Sequence, residues 1–239
     1  VAIRAGVVVF PGTNCDQDTV FALRNRGGWD VVTIWHRVDR LPHLDLVLLP
    51  GGFSYGDYLR AGAMAAHSPV IEWVQAFAER GGVVIGICNG FQILCEMGLL
   101  PGALIRNRSL KFICKVQSLR LERIDTKFTM RSELGTILRM PIAHGEGAYI
   151  ADPALLARLE KNRQIIFRYC DDMGRLTDEA NPNGSIANIA GVINQRGNVL
   201  GLMPHPERAC ESLLGGEDGK LIFDSVNGYL QGECRVKGC

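Results

Sequence analysis

A thiol flanked by glycines stands at Gly86-Ile87-Cys88-Asn89-Gly90, directly after the apolar run Val83-Val84-Ile85. The pattern G-x-C-x-G between a buried strand and a helix is that of a nucleophile elbow. The sharp turn crowds the backbone, so small flanking residues relieve clashes while the nucleophile stands at the end of the sheet. The following helix would aim its dipole and free amides at the sulfur, favouring thiolate over a free pKa of about 8.5. The Asn89 amide would face a developing oxyanion. A structural cysteine packed beside glycines is the competing explanation of the same five residues.

A thiolate nucleophile needs a base, and the base needs a group to orient it. The chain has five histidines. His36 follows a strand-like run, and His43 and His67 lie in polar connections, so all three read as surface residues. His205 sits in Met203-Pro204-His205-Pro206-Glu207 after an apolar strand, with prolines restricting the backbone on both sides. In extended backbone, residues i and i+2 point to the same side, so Glu207 could accept a hydrogen bond from His205. The other ring nitrogen would then face the thiol. A proline-rich turn whose His and Glu meet only water remains open at this level. After a third strand, Pro50-Gly51-Gly52-Phe53 offers backbone amides that a substrate could approach closely, a second source of oxyanion donors. Gln92, four residues after Cys88 on the same helical face, could read a polar substrate.

The elements that would position these groups alternate short β-rich runs with amphipathic stretches. Strands are expected at 5–10, 31–35, 44–50 and 83–87. Helices are expected from a cap at Asn14 or Asp16 to Gly27-Gly28, over 68–82, and from Cys88 to Gly98. Continuous apolar strands between helices argue for a parallel sheet covered on both faces. From about Lys111 the runs KFICKVQSLRLE, GTILRMPIAHG and NRQIIFRYC suggest a mixed or antiparallel extension. Two further strands flank the turn at 195–198, a last helix spans 221–230, and the tail to Cys239 is expected to fray. No repeat or linker divides residues 1–239, which read as a single domain.

Composition narrows the classes. Hydrophobic residues make up 47% and charged residues 21%, with a net charge of +1, which describes a globular protein without a nucleic-acid track or membrane-surface patch. The apolar runs are strand-sized, short of the roughly 20 residues that cross a bilayer, and AGVVVF is too short for a signal-peptide core. Eight cysteines include no C-x-x-C pair or matching Cys/His spacing, so no metal site is expected. Cys114 and Cys170 fall in apolar runs, where a free thiol acts as a small hydrophobe, and a reducing cytoplasm is the expected location.

Together, Pro50-Gly51-Gly52, Cys88-Asn89-Gly90-Phe91-Gln92 and His205-Pro206-Glu207 resemble, in order, the signatures of the triad-type (class I) glutamine amidotransferases. PGGFSYGDYLRAGA, GICNGFQILCEMGLLPG, NRSLKFIC, IAHGEG and GLMPHPERA are similar to the stand-alone glutaminase subunits of phosphoribosylformylglycinamidine synthases, over about Gly6 to Leu230. The resemblance implies a flavodoxin-like three-layer α/β sandwich of class I glutaminase type. It implies Cys88 as nucleophile, His205 as base and Glu207 as its orienter. Gly51, Gly52, Phe53 and Asn89 map to the oxyanion and substrate region, Gln92 to the glutamine backbone, and His144 loosely to the substrate-holding segment.

The chain lacks a G-x-x-x-x-G-K-[ST] loop. The resemblance therefore implies a synthetase partner that binds ATP, Mg2+ and formylglycinamide ribonucleotide, plus a small bridging subunit, with no cofactor in this chain. Phe53, Tyr55 and Tyr58 are candidates for the partner contact. Competing functions are a γ-glutamyl hydrolase or cysteine peptidase, a non-catalytic module of the same fold, and a glutaminase serving another synthetase.

Overall fold

The computed structural model describes residues 2–25 and 28–233. Among them, nine strands form one sheet: β1 (Arg4–Val9), β2 (Asp30–Trp35), β3 (Leu46–Leu49), β4 (Val83–Ile87), β6 (Ile113–Leu121), β7 (Ile137–His144), β9 (Ile165–Tyr169), β10 (Ile189–Ile193) and β11 (Val199–Leu202). Their order is β2-β1-β3-β4-β11-β10-β9-β6-β7. The pairings from β2 to β11 are parallel, and those from β11 to β7 are antiparallel. Strands β5 (Ala103–Ile105) and β8 (Ala148–Ile150) form a separate antiparallel pair.

Burial explains which strands sit where. Every residue of β3, β4, β10 and β11 is buried, as continuous apolar runs require in the middle of a covered sheet. The edges β2 and β7 alternate buried with more exposed positions. Pro141 lies within edge strand β7, where a missing ladder donor is tolerated.

Helix α1 (Asp16–Arg24) packs on β1 and β2, α2 (Pro69–Glu79) on β4, and α3 (Asn89–Glu96) on β3, β4 and β11. Right-handed crossovers leaving β1 in one direction and β3 in the other place α1 and α2 on opposite faces. The result is the flavodoxin-like three-layer sandwich. The strand order reverses between β1 and β3, and a bridge from Thr13 to Gly52 ties their carboxyl ends together. Such a switch point is where open α/β sheets hold ligands. No described helix is long and apolar enough to cross a membrane.

Several local expectations are corrected. The N-cap of α1 is Cys15, not Asn14 or Asp16, and no side chain caps it; α1 closes at Asn25, and Gly27 lies outside the described residues. His36 is buried rather than superficial, because the Tyr55 hydroxyl hydrogen-bonds its Nδ1 at 2.8 Å. Cys114 is exposed, in an end of β6 where three successive residues (114–116) are exposed, rather than packed as a hydrophobe. Helix α4 (Pro153–Lys161) is an addition to the expected elements; Asp152 caps it by accepting the Leu155 amide at 2.7 Å, and Pro153 opens it. Helix α5 (Lys220–Leu230) and the β10–β11 hairpin fall where the sequence places them, while the tail from 234 lies outside the described residues.

Candidate active site

Strand β4 delivers Cys88 to the amino end of α3, where the residue adopts φ 51° and ψ −106°, unusual for a side chain with a Cβ. The strain is held by its surroundings. The Cys88 amide donates to the Leu202 carbonyl at 2.8 Å, and its carbonyl accepts the Gln92 amide at 3.1 Å. The flanking glycines permit close approach. A Cβ on Gly90 would lie 1.9 Å from the Leu49 carbonyl oxygen, and one on Gly86 would lie 2.6 Å from the Gly90 carbonyl. The side chains are absent so that α3 can press onto β3 and β4. Cys88 itself is buried, with Sγ 3.6 Å from the Ala143 carbonyl.

His205 comes from the loop after β11. Its amide donates to the Pro141 carbonyl at 2.8 Å, docking the loop on the antiparallel half of the sheet. Its Nδ1 meets Glu207 Oε1 at 2.6 Å. The pairing expected from extended backbone therefore exists, but a 3-10 turn at Pro206–Arg208 creates it. Both side chains are buried, and His205 Nε2 has no protein partner. Burial opposes the charged imidazolium, yet the Glu207 carboxylate and Cys88 outweigh it and raise the His205 pKa well above 6.5. A Cβ built on Gly51 would touch both His205 Cε1, at 2.7 Å, and Cys88 Cβ, at 3.4 Å. His205 and Cys88 therefore meet around this glycine.

Two sets of backbone amides face the thiol region, with an adjustment. The Phe53 amide donates to the Gly12 carbonyl at 3.0 Å, so it is already committed. The Gly52 amide has no acceptor within the described residues, and Gly52 adopts φ 145°, open to glycine alone. The Asn89 amide begins α3 and has no intrahelical acceptor. The available pair is thus Gly52 and Asn89. The Asn89 side chain accepts from the Ser54 amide and donates to Gln92 Oε1. Gln92 Nε2 donates to the Glu146 carbonyl at 2.6 Å, so Gln92 ties α3 to the loop after β7 while lining the cavity.

That cavity, of about 190 Å³, opens beside Cys88 and is lined by Gly52, Phe53, Gln92 and His144. Asp57, Arg106, Lys111 and Glu146 line it too; none of them is assigned this role from the sequence, although Asp57, Lys111 and Glu146 fall within the stretches that carry the family resemblance. Burial and the nearby Glu146 charge push the Asp57 pKa up from 3.8 to about 6, and its Oδ1 is buried without a partner. A hint is present in Tyr55-Gly56-Asp57, but only the left-handed backbone at Tyr55 and Asp57 turns that carboxylate inward. His144 is buried, with Nδ1 3.1 Å from Asn107 Oδ1. The Asn107 amide nitrogen donates to the Lys111 and His144 carbonyls, so its oxygen must accept, and Nδ1 of His144 carries the proton. Burial, with the nearby His205 charge, lowers the His144 pKa to about 4.

The geometry is that of a thiol nucleophile with an oriented base, a pair of amide donors and a polar cavity. Comparisons with known proteins place it. A family profile for CobB/CobQ-like glutamine amidotransferase domains matches residues 2–215. The chain is 55% identical over 230 residues to the phosphoribosylformylglycinamidine synthase subunit PurQ of Salinibacter ruber, covering 96% of this chain and 98% of that one. The chain belongs to the PurQ family of glutamine amidotransferases. The PurQ subunit of Moorella thermoacetica is 56% identical over 224 residues, covering 94% of this chain and 95% of that one. A chain in the structure of PurLQS from Thermotoga maritima superposes with a TM-score of 0.84 at 49% identity, covering 96% of this chain and all of that one. A further glutamine amidotransferase from Thermotoga maritima matches at a TM-score of 0.54 and 16% identity, over 98% of this chain and 86% of that one, which speaks to the fold alone.

Proposed function

We infer that this PurQ-family chain is the glutaminase subunit of a phosphoribosylformylglycinamidine synthase, supplying ammonia for a step of purine biosynthesis. The observation that carries the chemistry is the strained Cys88 at the head of α3 beside the buried His205–Glu207 pair. Cys88 thiolate attacks the side-chain carbonyl carbon of glutamine, and the Gly52 and Asn89 amides hold the resulting oxyanion. Protonated His205, oriented by Glu207, gives its Nε2 proton to the departing nitrogen, and ammonia leaves a glutamyl thioester. The now neutral His205 takes a proton from water, which attacks the thioester and releases glutamate and the thiolate. The raised His205 pKa keeps the imidazolium available as the proton donor to the leaving nitrogen.

The cavity suits a zwitterionic amino acid. Asp57 and Glu146 would receive the α-ammonium group, and Arg106 and Lys111 the α-carboxylate. The partners are the synthetase and a small bridging subunit of the same complex, in keeping with the PurLQS assembly of Thermotoga maritima. ATP and Mg2+ belong to the synthetase, and the chain works in the cytoplasm without a cofactor of its own. Phe53 and Tyr58 are exposed enough to meet a partner, whereas Tyr55 is occupied by His36 and Ser68.

The deciding experiment treats the protein with a glutamine-mimicking electrophile, with and without excess glutamine, and maps the modified cysteines by mass spectrometry. Selective labelling of Cys88, suppressed by glutamine, is the expected result. Labelling spread over several of the eight cysteines, or none with the synthetase present, overturns the glutaminase assignment.

A further inference from the structure

Cys15 has no part in that mechanism, yet it shares the space around the reacting groups. It stands at the head of α1, buried, 190 positions before His205 in the chain. One ligand atom from each of Cys15, His205 and Glu207 lies within 4.8 Å of the others. A Cβ on Gly51 would touch Cys15 Sγ at 3.1 Å as well as His205 Cε1 and Cys88 Cβ, so the missing side chain of Gly51 leaves one small space bordered by both cysteines and the imidazole. A cavity of about 180 Å³ lined by Asn14, Cys15, Cys88 and His205 joins that space to the exterior. Within it, the buried His205 Nε2 is an unpartnered nitrogen.

We propose that Cys15, Cys88 and His205 Nε2 form a capture site for a soft divalent cation of the zinc type, which reversibly shuts off the glutaminase. The inference goes beyond the glutaminase assignment: the site needs only the juxtaposition, whereas its inhibitory consequence rests on that assignment.

The chemistry of the donors supports zinc over harder ions. Two thiols and an imidazole are the soft and borderline ligands that zinc selects, and magnesium or calcium would require oxygen donors. Glu207 already holds the opposite ring nitrogen at 2.6 Å, the outer carboxylate that metal-bound histidines characteristically carry. It therefore orients the ligand rather than binding the ion. Metal bonds of about 2.0 to 2.3 Å put tetrahedral ligands roughly 3.5 Å apart. Cys15 and His205, whose ligand atoms lie within 4.8 Å, therefore need only a small approach, whereas Cys88 joins them by turning its Sγ from the Ala143 carbonyl toward the space left by Gly51. Arg208 Nη2 donates to Cys15 Sγ at 3.2 Å and the Cys15 thiol donates to Asn14 Oδ1 at 3.3 Å; capture breaks the second hydrogen bond, and the guanidinium adds some charge repulsion of its own. Capture releases the Cys15 proton and the proton shared by Cys88 and His205 to solvent, and no covalent bond other than these S–H and N–H bonds breaks. The remaining coordination position faces the cavity and takes water.

The test uses the full chain in a non-chelating reductant, with Co2+ as the spectroscopic probe and Zn2+ as the inhibitor. Cobalt should produce a near-ultraviolet thiolate-to-metal band, with one ion bound per chain and removal by a chelator. Prior alkylation of Cys88 by the glutamine mimic, which removes one ligand and fills the cavity, should weaken or abolish the band. A band unchanged by alkylation means that Cys88 is not a ligand and overturns the three-residue site. Zn2+ should inhibit glutamine turnover in the complex with the synthetase, and Cys15→Ser should raise the inhibiting concentration about 10- to 100-fold with turnover in the absence of metal unchanged. Equal sensitivity of the wild type and Cys15→Ser, or absence of the cobalt band, rejects the proposal. The wild-type cobalt measurement needs no variant to fold. It also remains readable if Cys88 resists the glutamine mimic, the result that would reject the glutaminase assignment instead.

Discussion

The parallel and antiparallel halves of the sheet contribute to the site in different ways. The parallel half supplies groups at strand ends: Cys88 after β4 and the Gly52 amide after β3, both beside the switch point. The antiparallel half supplies supports along strand β7: the Pro141 carbonyl that holds His205, the Ala143 carbonyl beside Cys88 Sγ, and His144 at the cavity wall. His205 follows β11, which among the described residues is the strand that pairs with a parallel neighbour on one side and an antiparallel neighbour on the other. The thiol and the glycine amide thus come from one half, and the surface that holds His205 in place comes from the other.

Four substitutions probe this division. Cys88→Ala should lower glutamine-dependent turnover by about 10⁴-fold or more while leaving synthesis from added ammonia in the complex intact. Loss of both would mean that the elbow is chiefly a packing element. Glu207→Gln keeps the shape of the orienting group but removes its charge, so kcat should fall about 10² to 10⁴-fold with little change in KM. The same change should lower the pH at which His205 loses its proton, since the Glu207 charge helps raise that pKa. An unaltered pH profile would detach Glu207 from the base.

Asp57→Asn should raise KM for glutamine about 10-fold with kcat nearly unchanged, the loss of one charge-assisted hydrogen bond. Because Asp57 titrates near 6, the wild-type KM should fall as pH rises through that region and the carboxylate becomes available to an ammonium group. Asp57→Asn should flatten this dependence, and a retained slope measured in parallel would assign it elsewhere. Smallest of all, Asp152→Ala removes the cap of α4, distant in chemistry from the thiol, and should cost about 1 kcal/mol in urea unfolding without changing kcat/KM. A drop in activity would show that α4 communicates with the site.

Much of the parallel half is legible in the sequence because its strands are short, wholly apolar and separated by helices; β4 and the start of α3 fall where the patterning places them. Cys88, His205 and Glu207 are visible as residues with neighbours suited to chemistry. Less is legible where function depends on a side chain's direction. His36 reads as a surface residue because a polar residue after a strand often is one, but Tyr55, held at φ 54°, turns back to cover it. Helix α4 is hidden between two strand-like runs although its Asp-Pro start is readable. The Phe53 amide falls within the expected donor region, yet its bond to Gly12 depends on a bridge between loops far apart in sequence.

The order of residues alone thus established an elbow thiol, a proline-flanked histidine with an acid two places on, and an alternation of strands and helices, since each depends on local spacing and burial pattern. Tertiary structure alone decided that Pro141 holds His205, that Asp57 turns into the cavity and that Cys15 stands beside His205. Those contacts join segments tens to nearly two hundred residues apart. Their geometry is set by which strands become neighbours in the sheet, and no local periodicity records that choice.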